Sequence, residues 1–212
     1  MNDEEQLNTL SDIRNLMEKS SRFLSLSGLS GIFIGMYAVI ATLAACWYVN
    51  ENDVAMTDYY SLAITPEDTI SKPFFNFFML DALIVLLLSV LTGFLLTQRK
   101  AKQQGLRIWD ATAKRLLSNL FIPLVTGGAY CLVLLYHHQI GLIAPAMLIF
   151  YGLSLLNASK YTYEDIRYLG VFEIILGLIA SCSPGYGLII WGIGFGILHI
   201  LYGISMYYKY ER

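Results

Sequence analysis

The stretch that decides the fold is Ser20–Gly35, which reads SSRFLSLSGLSGIFIG. A charged segment leads up to Arg22, and an apolar run long enough to cross a bilayer follows it. Gly28, Gly31 and Gly35 alternate with serines, so one face of the helix that begins here carries almost no side-chain bulk. A face of this kind lets another helix approach closely. We therefore expect the other helices to pack around this one.

The composition indicates a membrane protein built from helices. Hydrophobic residues make up 56% of the chain, charged residues only 14%, and the mean hydropathy is +0.56, whereas soluble domains carry roughly 25% charged residues. Nearly uncharged runs of about 20 residues recur, which suits a hydrocarbon core about 30 Å thick. The alternation typical of a membrane β-barrel is absent. The predicted fold is all-α, with six transmembrane helices in three consecutive hairpins at about 27–49, 74–96, 117–136, 140–156, 166–181 and 187–207.

The basic residues indicate how these six spans are oriented. If both termini are cytoplasmic, 13 of the 14 Lys and Arg residues lie inside and only Lys72 lies outside. We expect a multi-pass protein of the bacterial inner membrane, with residues 1–22 and 209–212 in the cytoplasm and 23–208 as the transmembrane domain. The net charge of −2 indicates no nucleic-acid partner, and the orientation bias accounts for the basic loop Arg99–Arg115 between the second and third spans. Membrane lipids are the expected surroundings, and a homo-oligomer is compatible with the sequence.

Residues 4–19 have the pattern of an amphipathic helix at the membrane surface. Apolar residues recur every three or four positions, and charged residues fall on the other side. This segment is either a solvated helix that leads into the first span or a docking surface for a cytoplasmic protein partner. The apolar positions are Leu7, Leu10, Ile13, Leu16 and Met17.

Four polar residues are predicted to lie within the spans, where an ionisable side chain is costly and needs a physical reason. Glu173 and His199 come at similar depth on neighbouring helices, and Asn119 enters the third span at a comparable inner level. Asp81 lies nearer the outer boundary. These residues either form hydrogen bonds that join helices or, together with water, belong to a proton or cation path.

Glycine spacing predicts where helices approach most closely. Gly28, Gly31 and Gly35 on the first span and Gly192 and Gly196 on the sixth have the spacing of helix-packing faces, and we expect the two faces to meet. The odd-numbered spans open with RFLS, RLLS and RYLG, and the fourth and sixth end with FYGLS and LYGIS. These matches indicate related hairpins about a pseudo-threefold axis, or else only the ordinary use of arginine at inner boundaries.

The sequence contains no signature of an enzyme, a cofactor or a metal centre. HExxH, GxSxG and Walker motifs are missing, so we expect no catalytic residue, no cofactor and no metal. Cys46, Cys131 and Cys182 have no ligand spacing. Together with His137 and His138, they fall near the outer ends of the odd-numbered spans, and a metal site or one disulfide would lie there.

The run Arg14–Gly31, RNLMEKSSRFLSLSGLSG, is similar to the N-terminal signature of a group of uncharacterised six-span inner-membrane proteins of bacteria. Beyond this run the resemblance rests on span count and topology. Members of the group have no assigned activity, and some are encoded beside a small winged-helix regulator. The resemblance therefore implies a sensing or regulatory role and supplies no functional residue.

Two functions follow from these observations. The first is a non-enzymatic, membrane-embedded sensing or regulatory protein. The alternative is a small-solute or proton-coupled transporter built around Glu173, His199 and Asp81.

Overall fold

The computed structural model describes residues 23, 25–67, 69–105 and 109–212, and these contain helices and no β-strand beyond one isolated bridge. The long helices are α1 (Gly28–Glu51), α2 (Lys72–Gln103), α3 (Ala111–Tyr136), α4 (Ile143–Ala158) and α5 (Asp165–Cys182). The C-terminal helix consists of three successive parts, which are α6 (Gly187–Trp191), a π-helical segment (Gly192–Leu198) and α7 (His199–Tyr210). The all-α class predicted from the sequence is confirmed.

Each of the six apolar segments predicted from the sequence is helical. Five of the helices are long and apolar enough to cross a membrane. The exception is α5, which has 18 residues and carries Asp165, Arg167 and Glu173 along its length. The predicted amphipathic helix at residues 4–19 lies outside the described residues.

Two helices extend beyond the predicted spans at the end of the bundle where the basic residues cluster, which we call the basic end. α2 continues well past residue 96, with Lys100 and Lys102 in its last turn, where their charges complement the negative end of the helix dipole. α3 begins before residue 117, because the side chain of Asp110 accepts a hydrogen bond of 2.6 Å from the backbone N–H of Ala113. Such caps lie outside the apolar runs from which the spans were predicted.

The helices form an arc rather than a closed ring. α1 packs along the C-terminal helix on one side and along α2 on the other. The C-terminal helix also contacts α4 and α5, which pack closely together, and α3 packs on α4. α2 and α3 therefore stand at the two ends of the arc, with at most slight contact between them. An opening remains between these two helices.

Two seams in this arc are closed by glycine. At the α1–α7 seam, a Cβ atom on Gly203 would lie 2.6 Å from the backbone nitrogen of Ile32 and 2.7 Å from the carbonyl oxygen of Gly28. At the α4–α5 seam, a Cβ atom on Gly152 would lie 2.5 Å from the carbonyl oxygen of Gly170. Backbone atoms occupy the space that a side chain needs, so only glycine fits at both seams.

The glycine face of α1 lies against the C-terminal helix. A Cβ atom on Gly35 would lie 2.6 Å from the carbonyl oxygen of Gly196, and Gly31 lies against α7. At the other end of the contact, a Cβ atom on Gly192 would lie 2.6 Å from the hydroxyl of Thr42. The two faces that the glycine spacing singled out therefore meet.

Candidate functional sites

Three polar side chains are enclosed where the C-terminal helix meets α4 and α5, and we call Tyr151, Glu173 and His199 the polar cluster. Glu173 is 0% exposed and His199 is 3% exposed. The Nδ1 atom of His199 lies 3.4 Å from Oε1 of Glu173, and the Nε2 atom lies 2.8 Å from the hydroxyl of Tyr151. The structure brings together Glu173 and His199 and adds Tyr151, which sequence reasoning missed.

The hydrogen bonds of His199 determine where we assign its proton. Nδ1 lies 3.0 Å from the carbonyl oxygen of Gly194, which can only accept, so Nδ1–H donates to it. Nε2 then accepts the hydroxyl proton of Tyr151. This tautomer of a neutral imidazole satisfies both of its nitrogen atoms. Neither carboxyl oxygen of Glu173 has a hydrogen-bond partner among the described residues, so Glu173 is the unsatisfied member of the polar cluster.

The π-helical segment makes room for the polar cluster. Turns of this kind are rare and occur often at functional sites. A Cβ atom on Gly194 would lie 2.5 Å from Oε2 of Glu173 and 2.6 Å from a methyl carbon of Leu148. The GIGFG motif therefore has two structural roles, because its outer glycines face α1 and its central glycine admits the carboxyl group. The sequence indicated only the first role.

The second site is the opening between α2 and α3, which is a cavity of about 240 Å³ bordered also by α1, α4 and α6. We call it the aromatic cavity, because its lining includes the rings of Tyr59, Phe74, Phe78 and Trp191. In the described parts of the chain, Asp81 is the only acidic residue of the lining and no basic residue borders the cavity. The structure thus places Asp81 at an apolar opening and not in the polar cluster.

The polar groups of the aromatic cavity have few partners. Asp81 is half-buried, and within the described residues nothing hydrogen-bonds to its carboxyl group or pairs with it. The indole nitrogen of Trp191 is buried and also lacks a partner there. Burial, with a smaller effect of Tyr60, raises the pKa of Tyr59 to about 12, so its hydroxyl is neutral. Among the described residues, Asp81 is therefore the one carboxyl group that a ligand in this cavity would meet.

Packed aromatic rings connect the two sites. Trp191 lines the aromatic cavity, and its ring centroid lies 5.0 Å from that of Phe195. The ring of Phe195 lies in turn 5.9 Å from the ring of His199, in a stacked orientation. The ring of Phe195 therefore lies between the aromatic cavity and the polar cluster.

Asn119 lies apart from both sites. Its side chain donates a hydrogen bond of 2.8 Å to the carbonyl of Arg115 one turn earlier. The backbone carbonyl of Asn119 accepts a hydrogen bond of 3.0 Å from the side chain of Asn157 on α4. The four polar residues selected from the sequence therefore divide into an enclosed pair, a carboxyl group at a cavity and an asparagine that joins α3 to α4.

A buried ion pair at the basic end ties the C-terminal helix to α1 and α2. Lys100 is 7% exposed, and its amino group lies 3.1 Å from the carboxylate of Glu211 and donates a hydrogen bond of 2.6 Å to the carbonyl of Leu26. The carboxylate of Glu211 also accepts hydrogen bonds from the backbone N–H of Gly28 and the hydroxyl of Ser27, at the positive end of the α1 dipole. Sequence reasoning missed this contact, because no spacing rule relates two residues so far apart in the chain.

The three cysteines are free thiols. In the part of the chain that the structure describes, no group of three or more His, Cys, Asp or Glu side chains is placed to hold a metal ion. No protein-family model, curated protein or solved structure matches the chain. The polar cluster and the aromatic cavity are therefore interpreted from their own geometry.

Proposed function

We propose that the chain is a six-span protein of the bacterial inner membrane, with both termini in the cytoplasm. Large apolar side chains on the outside of the bundle support this placement, since Ile40, Leu43, Leu87 and Ile122 are each at least 60% exposed. Lipid gives such side chains the apolar surroundings that water does not. α5 supplies the sixth span, because its one charged residue in mid-helix, Glu173, is enclosed by other helices.

Within the membrane we propose a sensing or regulatory role without enzymatic activity. The observation that carries this proposal is the enclosure of the polar cluster, in which Glu173 is 0% exposed and has no hydrogen bond among the described residues. A proton or ion path needs polar groups leading in and out, whereas packed helices surround this carboxyl group. A buried polar group without a partner is unfavourable, and another helix position that relieved it would give the protein a second conformation.

Contacts at the basic end offer a route from the polar cluster to the cytoplasmic face. The C-terminal helix carries His199 and is followed directly by Glu211, which holds the start of α1. Just before α1, the backbone N–H of Phe23 donates to the carbonyl of Tyr161 at 2.7 Å, and the hydroxyl of Thr162 donates to the carbonyl of Phe23 at 2.7 Å. A shift of the C-terminal helix would therefore be transmitted to Phe23, which follows the N-terminal segment in the chain.

Photo-crosslinking in cells tests this role. A photoreactive residue at Leu10 or Ile13 is expected to trap a soluble cytoplasmic protein, while the same residue at Asp12, on the charged side of the predicted amphipathic helix, should trap much less. Tyr151→Phe, which alters the polar cluster, should change the crosslinking yield at Leu10. Recovery of lipid alone from Leu10 and Ile13 would contradict the regulatory proposal.

A small-solute or proton-coupled transporter is the second candidate. It is favoured by the position of Asp81 at the aromatic cavity and by the rings that join this cavity to His199. In proteoliposomes, Glu173→Gln should abolish a pH-dependent flux, whereas Glu51→Gln, at an exposed position at the end of α1, should leave it unchanged. Absence of flux in the wild-type protein across a broad panel of solutes and ions would exclude transport.

A further inference from the structure

We infer that the aromatic cavity is a binding site for a small lipophilic cation, which pairs with Asp81 and packs against the surrounding aromatic rings. The inference rests on the proposed membrane placement of the chain, and it holds for either a sensor or a transporter. Three properties of the cavity support it: an unpaired carboxyl group, an aromatic lining and a position at the open end of the arc.

The carboxyl group of Asp81 sets the charge of the ligand. An acidic side chain at membrane depth is costly and is normally paired with another group of the protein. No basic residue from the described parts of the chain lines the cavity, and none of the described residues pairs with Asp81. A cationic ligand would supply the missing partner.

The lining sets the size and character of the ligand. The rings of Tyr59, Phe74, Phe78 and Trp191 border the cavity, and the faces of aromatic rings attract cations. The volume of about 240 Å³ lies just below the usual range of small-molecule sites, roughly 300–1,000 Å³. A monovalent amine or quaternary ammonium ion with one aromatic ring matches this combination of size, charge and lining.

The position of the cavity gives such a ligand access. α2 and α3 leave an opening between them, and outward-facing side chains of α2 such as Leu80 and Leu83 are exposed, so the opening borders the lipid. Lipophilic cations concentrate in membranes and would reach the cavity from the side. A lipid acyl chain also fits an apolar opening, but it leaves the carboxyl group of Asp81 unpaired.

Binding of benzyltrimethylammonium to the purified full-length protein tests the inference. This probe is permanently charged and carries one ring, and its uncharged analogue neopentylbenzene has a carbon atom in place of the nitrogen. Equilibrium dialysis of the labelled cation in an uncharged maltoside detergent, corrected with empty micelles, is expected to show saturable binding. Neopentylbenzene should compete poorly.

Matched variants assign the binding to the cavity. Asp81→Asn should weaken binding by about tenfold or more, because charge pairing is strong in apolar surroundings, and Trp191→Leu should weaken it through loss of the ring. Glu51→Gln removes an exposed carboxylate outside the lining and should bind the cation as the wild type does. Circular dichroism and gel filtration test whether each variant is folded.

Three outcomes would overturn the inference: no saturable binding to the folded wild-type protein, equal binding by Asp81→Asn, or equal competition by neopentylbenzene. The last result would identify the cavity as an apolar groove for acyl chains. The crosslinking experiment at Leu10 uses no cation, so failure of ligand binding and failure of the regulatory proposal are distinguishable.

Discussion

The α1–α7 and α4–α5 seams contrast with the opening between α2 and α3. At both seams the last part of an even-numbered span packs on the first part of an odd-numbered one, through Gly203 against Gly28 and through Gly152 against Gly170. In α2 the glycine at the matching place is Gly93, and a Cβ atom there would only come within 4.0 Å of a side-chain carbon on α1. The third interface that a pseudo-threefold repeat would require is therefore not closed.

This difference is the physical basis on which we propose that one chain combines fixed helix contacts with a binding site. Where backbone meets backbone through glycine, no space remains for a ligand, and the two helices of that seam are held in one relative position. Where this contact is missing, aromatic rings border a cavity, and a carboxyl group without a partner is tolerated. We interpret the glycine seams as fixed contacts that hold α1 on the C-terminal helix and α4 on α5, and the opening as the place where the proposed ligand enters.

The largest effect is expected from a methyl group added at a seam. Gly203→Ala should lower the free energy of unfolding by about 3 kcal/mol or more, because the backbones of α1 and α7 must separate. Gly93→Ala, at the open interface, should be neutral or raise it by up to about 1 kcal/mol, since alanine favours helix. Unfolding of the purified protein in mixed detergent micelles measures both. Equal effects would show that the two interfaces do not differ as described.

Lys100 and Lys209 each form an ion pair near the C-terminal end of the chain, one buried and the other exposed. Lys100→Met should lower the free energy of unfolding by about 2 kcal/mol, because the carboxylate of Glu211 and the carbonyl of Leu26 lose a buried cation. The side chain of Lys209 is 55% exposed in its pair with Asp165, so Lys209→Met should have a much smaller effect. The same unfolding assay applies, and a loss at Lys209 as large as at Lys100 would contradict the assigned role of burial.

The polar cluster is expected to contribute less than either of these contacts. Tyr151→Phe leaves Nε2 of His199 without a donor and should lower the free energy of unfolding by about 1 kcal/mol. Tyr168→Phe alters an exposed tyrosine and should leave the free energy of unfolding unchanged. In a double-mutant cycle with His199→Leu, the Tyr151 effect should largely disappear, since its partner is gone. Additive effects would show that the hydrogen bond between the two residues is not stabilising.

Apolar runs were sufficient to predict the helices. Glycine spacing indicated the contact between α1 and the C-terminal helix, because the glycine face of each helix follows from its local sequence. The partners of the polar residues were harder to predict. Depth along a helix follows from the 1.5 Å rise per residue, which put Glu173 and His199 at one level. The direction in which a side chain points depends on helix rotation and neighbours, and so Asp81 and Asn119 lie elsewhere. The contact between Lys100 and Glu211 and the π-helical segment depend on tertiary packing, which no spacing rule includes.

The smallest effect is expected at Asp81, and its sign is informative. Asp81→Leu removes a half-buried carboxyl group that has no partner among the described residues, so in the absence of ligand it should raise the free energy of unfolding, by about 1 kcal/mol or less. Glu51→Leu, at an exposed carboxylate on the end of α1, should leave it unchanged. A carboxyl group that lowers stability at an open cavity is what we expect of a binding residue. If Asp81→Leu instead destabilises the ligand-free protein, the carboxyl group has a partner within the fold, and the contrast between closed seams and an open binding site loses its main support.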